Sequence, residues 1–140
     1  VILYLDTSAI LKRYFQESFS EEVSAKWKQS EMIVTSSVAY AETMATISRK
    51  QKEADIDNKL IQKTIQAFQM DWSGFIRVEV TDDLNEYINN VLQKHPLRGF
   101  DAIHLASALV IYEKFPRTFF FACFDQRLNQ AARLESLPSF

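Results

Sequence analysis

The chain has 140 residues, the size of one ordinary domain expected to span 1–140, and can bury about two-thirds of its unfolded surface without disulfides. Its 47% hydrophobic and 24% charged residues exclude global disorder, and two glycines with three prolines speak against a turn-rich all-β fold. A net charge of −2 gives no whole-molecule attraction to nucleic acid, so binding RNA would need a local basic patch or metal ions.

Four short apolar runs predict strands: Ile2 to Leu5, Met32 to Thr35, Phe75 to Val80 and Thr118 to Ala122. The first, second and fourth are almost continuously apolar, as in strands buried on both faces of a parallel sheet. The third alternates Ile76, Val78 and Val80 with Arg77 and Glu79, which suits a strand near an edge. Helical patterns fill the intervals. Ser8 to Phe15 is short. Ser20 opens a second helix with Glu21 and Glu22 in its first turn, where carboxylates face the positive end of the dipole. Ser36 or Ser37 is expected to open a longer helix that ends among Arg49, Lys50 and Lys52. Asp55 or Asp57 caps the next, with an apolar stripe of Leu60, Ile61, Ile65, Phe68 and Trp72. Another starts at Thr81 with Asp82 and Asp83 and ends before Pro96. Asp101 to Lys114 is apolar on most faces and is expected to be the most buried helix; a last one runs from Gln126 to about Leu134. The order β-α-α-β-α-α-β-α-α-β-α predicts an α/β sandwich with a mainly parallel sheet.

Cys123 is the only cysteine, which excludes an intramolecular disulfide and a Cys-rich zinc site. With Phe119, Phe120, Phe121 and Phe124 around it, it reads as a buried core thiol. No apolar stretch approaches ~18 residues, and Val1 to Leu5 is too short for a signal peptide. The expectation is a soluble, cytoplasmic protein with no membrane association.

Asp6 directly follows the first strand and Asp125 closely follows the fourth. In open parallel sheets, ligands bind outside the carboxyl ends of strands, where strand order switches. Each aspartate has an equally simple reading as a helix N-cap, and Asp101 as an N-cap or first-turn acid. Glu42 is more telling. On a helix from Ser37 its neighbours one turn away are Val38 and Ala45, so it borders an apolar face with Ala41, where a carboxylate is costly unless paired or bound to a cation. The same logic does not pick out Glu21, Glu22, Glu53, Asp55, Asp57, Asp82, Asp83 or Glu135, which read as caps and solvated faces. If Asp6, Glu42, Asp101 and Asp125 converge, their repulsion calls for a hard divalent cation; Mg²⁺, with Mn²⁺ as a substitute, could then serve attack of water on a phosphodiester. His95 is expected in a loop beside Pro96, and His104 in the buried helix reads as a core histidine with a site role as the alternative.

Four segments carry a resemblance. Leu5-Asp6-Thr7-Ser8-Ala9-Ile10-Leu11-Lys12 resembles the opening motif of PIN domains, especially VapC-type toxins. Ser36 to Glu42 is similar to the segment bearing their second acid, Leu97 to Ala106 to their most distinctive motif, and Phe124 to Leu128 with Ala131-Ala132 to their last. The resemblance implies a three-layer α/β/α sandwich, Mg²⁺- or Mn²⁺-dependent cleavage of RNA, and an acidic metal site of Asp6, Glu42, Asp101 and Asp125 supported by the Ser8 hydroxyl. It also implies a tRNA, rRNA or mRNA target, a cognate antitoxin and a homodimer. One departure stands at the end, where the family often has Gly-Leu-Pro and this chain has Ser136-Leu137-Pro138. That substitution bears on backbone geometry more than on chemistry.

Lys12, Arg13, Arg98 and Arg127 are candidates for holding RNA phosphates, with solvated charge or ordinary pairing as the alternative and, for Arg98, pinning of the loop before its helix. Tyr14 and Phe15 offer stacking surface, although core or dimer packing suits them better. Two other functions fit acids at strand ends. A phospho-receiver-like switch would want a lysine where Cys123-Phe124-Asp125 stands, and a non-catalytic RNA- or protein-binding module would not need the full acid set.

Overall fold

The computed structural model describes residues 1–139; Phe140, the last residue of the expected domain, lies outside the described residues. Four strands, β1 (Ile2–Leu5), β2 (Met32–Ser36), β3 (Ile76–Val78) and β4 (Phe119–Ala122), form a sheet of order β3-β2-β1-β4, and every pairing is parallel. Between and after them run α1 (Thr7–Tyr14), α2 (Ser20–Gln29), α3 (Ala39–Ala54), α4 (Asn58–Gly74), α5 (Asn85–Lys94), α6 (Gly99–Lys114) and α7 (Gln126–Leu134).

Alternate side chains of β1 point to opposite faces, and this divides the core in two. Ile2 and Tyr4 join Phe119 and Phe121 against Val91 of α5, Leu105 of α6 and Leu128 of α7. Leu3 and Leu5 pack with Ile10 of α1, Ile47 of α3 and Ile61 and Phe68 of α4. The result is the expected three-layer α/β/α sandwich. The chain moves outward from β1 through β2 to β3, then returns to lay β4 on the other side of β1. Strand order therefore reverses at β1, and the carboxyl ends of β1 and β4 flank the crevice.

Several local expectations change. The long helix does not open at Ser36 or Ser37, because β2 continues through Ser36. A turn then leads to Ala39, with Val38 at the cap, where no side chain bonds. Asp57 caps α4 by accepting from the Lys59 N–H, whereas Asp55 ends α3 in a left-handed conformation. Leu60, placed in the buried stripe of α4, is 57% exposed; Ile61 and Phe68 carry the burial. The third strand keeps its edge position but shrinks to three residues, and Ile76 and Val80 of its apolar alternation are both exposed. Thr81 opens a single 3-10 turn, Asp82–Leu84, and the α-helix begins only at Asn85. The buried helix starts two residues before Asp101, so Arg98 occupies its cap and Asp101 its first turn.

β4 is also an edge strand by position, although its residues read as fully buried. The tail explains this: the Phe121 N–H donates to the Pro138 carbonyl at 2.7 Å, and Phe121 bridges Ser139 in parallel. Ser136 makes that return possible with a left-handed φ of 64°, while the Ser136 and Leu137 N–H groups donate to Arg133 and Ala132. These two bonds are the Schellman closure of α7, a place that favours glycine. Serine keeps the geometry that the usual glycine would supply. Among the described residues no helix is long and apolar enough to cross a membrane.

Candidate active site

Asp6 and Asp125 both cap helices, each accepting from the backbone N–H three residues on: Asp6 from Ala9 at 2.9 Å and Asp125 from Leu128 at 2.9 Å. The capping role and a place at the crevice thus coincide in the same side chains. Ser8 extends the arrangement. Its hydroxyl donates to Asp6 Oδ1 at 2.7 Å and accepts from the Phe124 N–H at 2.9 Å, tying the end of β1 to the segment after β4. Asp6 is buried. Burial pushes its carboxyl above the usual range and outweighs the His104 charge and the bonds from Ser8 and Ala9.

Glu42 stands in the first turn of α3, where its Oε1 accepts from the Thr7 hydroxyl at 2.7 Å and from His104 Nε2 at 2.9 Å. Burial acts to raise this carboxyl, yet the bonds from His104 and Thr7 and the His104 charge hold it below its ordinary value. His104 is buried, and its other ring nitrogen, Nδ1, lies 2.9 Å from the Tyr4 hydroxyl. Both ring nitrogens are therefore satisfied, Nε2 by Glu42 and Nδ1 by Tyr4. His104 is the core histidine that the helix pattern suggests, and it is also the group that orients Glu42.

Asp101 lies half-buried in the first turn of α6. Its carboxyl is raised by burial first, then by the negative charges of Asp125 and Asp6, with Glu42 adding to them and His104 opposing. Of the four predicted acids, Asp101 is the one whose carboxyl is raised by the other three. Asp101 and Asp125 line a groove of about 390 Å³ together with Arg98, Phe124, Gln126 and Arg127. Glu42 and Thr7 line a second, of about 370 Å³, with Ala41, Ala45, Thr46, Arg49 and Phe100. Among the described residues no three acidic, histidine or cysteine side chains form a ready-made metal cage. The donor set is nonetheless all carboxylate oxygen, with negative charge left uncompensated at Asp101. That chemistry fits a hard divalent cation held through one or two carboxylates and several waters.

The four basic candidates divide. Lys12 pairs with Glu17 and lies over the Phe124 ring, and Arg13 pairs with Asp71 and lies over Trp27, so both follow the ordinary-pairing reading. Arg98 and Arg127 line the groove of Asp101 and Asp125 and pair with no acid among the described residues. Tyr14 and Phe15 pack in the core, with the Tyr14 hydroxyl donating to Asp71 at 2.6 Å. Cys123 is buried as expected, and burial raises its thiol well above the ordinary value. Sequence reasoning missed Thr7 and Tyr4. The signal for Thr7 was its place beside Ser8: consecutive helical positions project about 100° apart, so the two hydroxyls serve two different acids. His95 lies in the loop beside Pro96, as expected, but it is buried and pairs at 2.6 Å with Glu135, which is mostly buried and not the solvated acid that the sequence suggested.

The PIN domain family profile matches residues 3–134. The chain belongs to the PIN domain family. Two curated PIN relatives from Mycobacterium tuberculosis, named Ribonuclease VapC45 and Ribonuclease VapC49, are each 28% identical over 131 residues, which is 94% of this chain and 89% of theirs. Solved structures share the PIN fold at lower identity. The Mycobacterium tuberculosis toxin VapC20, which cleaves the sarcin-ricin loop, is 18% identical with a TM-score of 0.62, covering 92% of this chain and 94% of that one. VapBC2 from Rickettsia felis, bound to a DNA fragment from its promoter, is 14% identical with a TM-score of 0.64 over 100% and 98% of the two chains. FitAcB from Neisseria gonorrhoeae is 13% identical with a TM-score of 0.66 over 99% and 96%.

Proposed function

We propose that this PIN domain is a metal-dependent endoribonuclease and the toxin of a toxin–antitoxin pair. The observation that carries the reading is the meeting of Asp101 and Asp125 in one groove, with Asp101 half-buried and raised by burial first and then by the charges of Asp125, Asp6 and Glu42. Asp101 stands among the charges of Asp125, Asp6 and Glu42 at the carboxyl end of a parallel sheet, an arrangement that a bound cation would relieve. The two relatives named as ribonucleases support the choice of RNA as substrate.

In this reading Asp6, Glu42, Asp101 and Asp125 hold Mg²⁺ or Mn²⁺. A bound ion supplies Lewis acidity at the phosphoryl oxygens and neutralises charge that builds up as the phosphodiester breaks. The chain's own groups do the positioning. Ser8 fixes Asp6 Oδ1, and Thr7 with His104 fixes Glu42 Oε1, so both carboxylates are held in set orientations. Arg98 and Arg127 stand in the groove of Asp101 and Asp125, where they take the phosphates on either side of the cut. Because the whole chain is weakly acidic, these local cations and the metal together must offset its field. The VapBC2 structure favours an antitoxin as the controlling partner, and the family resemblance favours a homodimer.

The test is cleavage of total RNA by the purified protein with millimolar-order Mg²⁺ and after exhaustive EDTA treatment. Cleavage that requires the metal supports the reading. Cleavage that survives EDTA removes the metal, and no cleavage of any RNA under either condition removes the nuclease.

A further inference from the structure

Phe100 is 58% exposed, although it belongs to α6, whose Ala102, Leu105, Ala106 and Ala108 are all buried. A single exposed aromatic is ordinary on a protein surface, but this one has a particular setting. It precedes Asp101 in the chain, and its ring lines the groove that holds Thr7 and Glu42, whereas Asp101 lines the other groove. The two grooves therefore take consecutive residues of α6. Their linings differ in kind. The first is charged, with two acids and two arginines; the second is mainly apolar, walled by Ala41, Ala45 and Phe100. Arg49 closes the second, its guanidinium anchored to the Thr46 hydroxyl at 2.9 Å and paired with no acid among the described residues.

We propose that this second groove is the nucleobase subsite, in which Phe100 stacks on a base next to the scissile phosphate and Arg49 faces the adjoining backbone. This rests on the ribonuclease reading and gives it a substrate class: single-stranded RNA, or an unpaired loop, whose base can leave the stack. In a paired A-form helix the base faces are covered, so a stacking wall is useful only on unpaired nucleotides. The charges match as well. An apolar protein segment gains nothing from a free guanidinium at the rim, whereas a nucleotide brings a π-face for Phe100 and a phosphate for Arg49. Stacking tolerates any base, so Phe100 selects for strandedness, and sequence preference must come from elsewhere.

The test is binding of a short mixed-sequence single-stranded oligoribonucleotide carrying 2-aminopurine, and of the same strand in a duplex, to the full chain in the cleavage-impaired Asp6→Asn background. Phe100→Ala should weaken single-strand binding about 10- to 100-fold and lose the quenching of 2-aminopurine that stacking causes. Phe100→Tyr should retain both, and the duplex should bind weakly to all three. Since Phe100 is exposed, the melting temperature should not change, which separates this role from a structural one. Equal binding and quenching by Phe100→Ala would overturn the inference and leave the ribonuclease reading standing. Loss of antitoxin binding with RNA binding intact would assign the groove to protein and also overturn it. A parent that neither binds nor cuts RNA removes both.

Discussion

His104 Nε2 lies 2.9 Å from Glu42 Oε1 and joins the most buried helix to the acid at the head of α3. Tyr4 at the centre of the sheet holds the other side of the same ring, so the orientation of Glu42 is fixed from the core outward. His104→Ala should reduce RNA cleavage about 10- to 100-fold, the usual loss when the group that orients a metal-binding carboxylate is removed. His104→Gln, whose amide can still donate to Glu42, should lose less. The Glu42 carboxyl is held below its ordinary value, so its stabilising share is present above the unfolded value near 4.3 and is lost as pH falls through the lower folded value. In His104→Ala, carbon NMR titration should show the Glu42 carboxyl moved upward; an unmoved titration would mean that His104 acts only through packing.

Asp6 has the opposite sign. Its carboxyl is raised by burial above an ordinary value of 3.8. Its contribution is thus full below that value and lost as pH rises through the raised folded value. Asp6→Asn keeps a capping side chain and removes the buried charge. With divalent ions absent, the variant should melt higher than the parent at pH 7, and the gap should close below about pH 4. Thermal melts across that range check it. A parent more stable than Asp6→Asn at neutral pH would show that the charge is compensated within the protein.

Ser8 bridges Asp6 and the Phe124 N–H, so Ser8→Ala removes a donor from the acid and leaves a backbone donor without its acceptor. The expected cost is about 1–3 kcal/mol of stability, with a 10- to 100-fold loss of cleavage. Urea unfolding and single-turnover cleavage read the two effects separately. Loss of stability alone would place Ser8 outside the site.

Ser136→Gly should stabilise the fold by about 0.5–1 kcal/mol, because a left-handed serine costs more than the extra flexibility of glycine. The denaturation midpoint should rise with an unchanged slope and unchanged cleavage. No rise would mean that the serine side chain compensates locally.

The sequence and the structure agree where one physical signal dominates. The alternation of Ile2 and Tyr4 with Leu3 and Leu5 cannot show which partners each face meets, but a continuous apolar run at the start of an α/β pattern already requires a parallel sheet covered on both sides. Asp6 and Asp125 were legible because strand ends and helix caps are marked by chain position. The bonds of Glu42 were not, since Thr7 and His104 lie 35 and 62 residues from it and meet it only once the sheet is assembled. The same holds for His95 and Glu135, 40 residues apart. Strand β3 was overestimated because alternation measures fit to an edge but not where the partner strand stops: β2 ends at Ser36, opposite Val78.

Arg98 and Arg127 should contribute as phosphate contacts. Replacing either with glutamine should weaken RNA binding at low salt and reduce the slope of log affinity against log salt by about 0.7, one counterion's share for a single strand. An unchanged slope would assign these arginines to the surface alone.

The central claim, that the four acids act as one site on RNA, is tested most directly by single-turnover cleavage in Mn²⁺ by Asp101→Asn beside the parent. Asp101 makes none of the capping bonds that Asp6 and Asp125 make, so its loss should leave the melting temperature unchanged or higher. Cleavage should fall by at least about 100-fold. Cleavage by folded Asp101→Asn at the parent rate would contradict a shared acidic site.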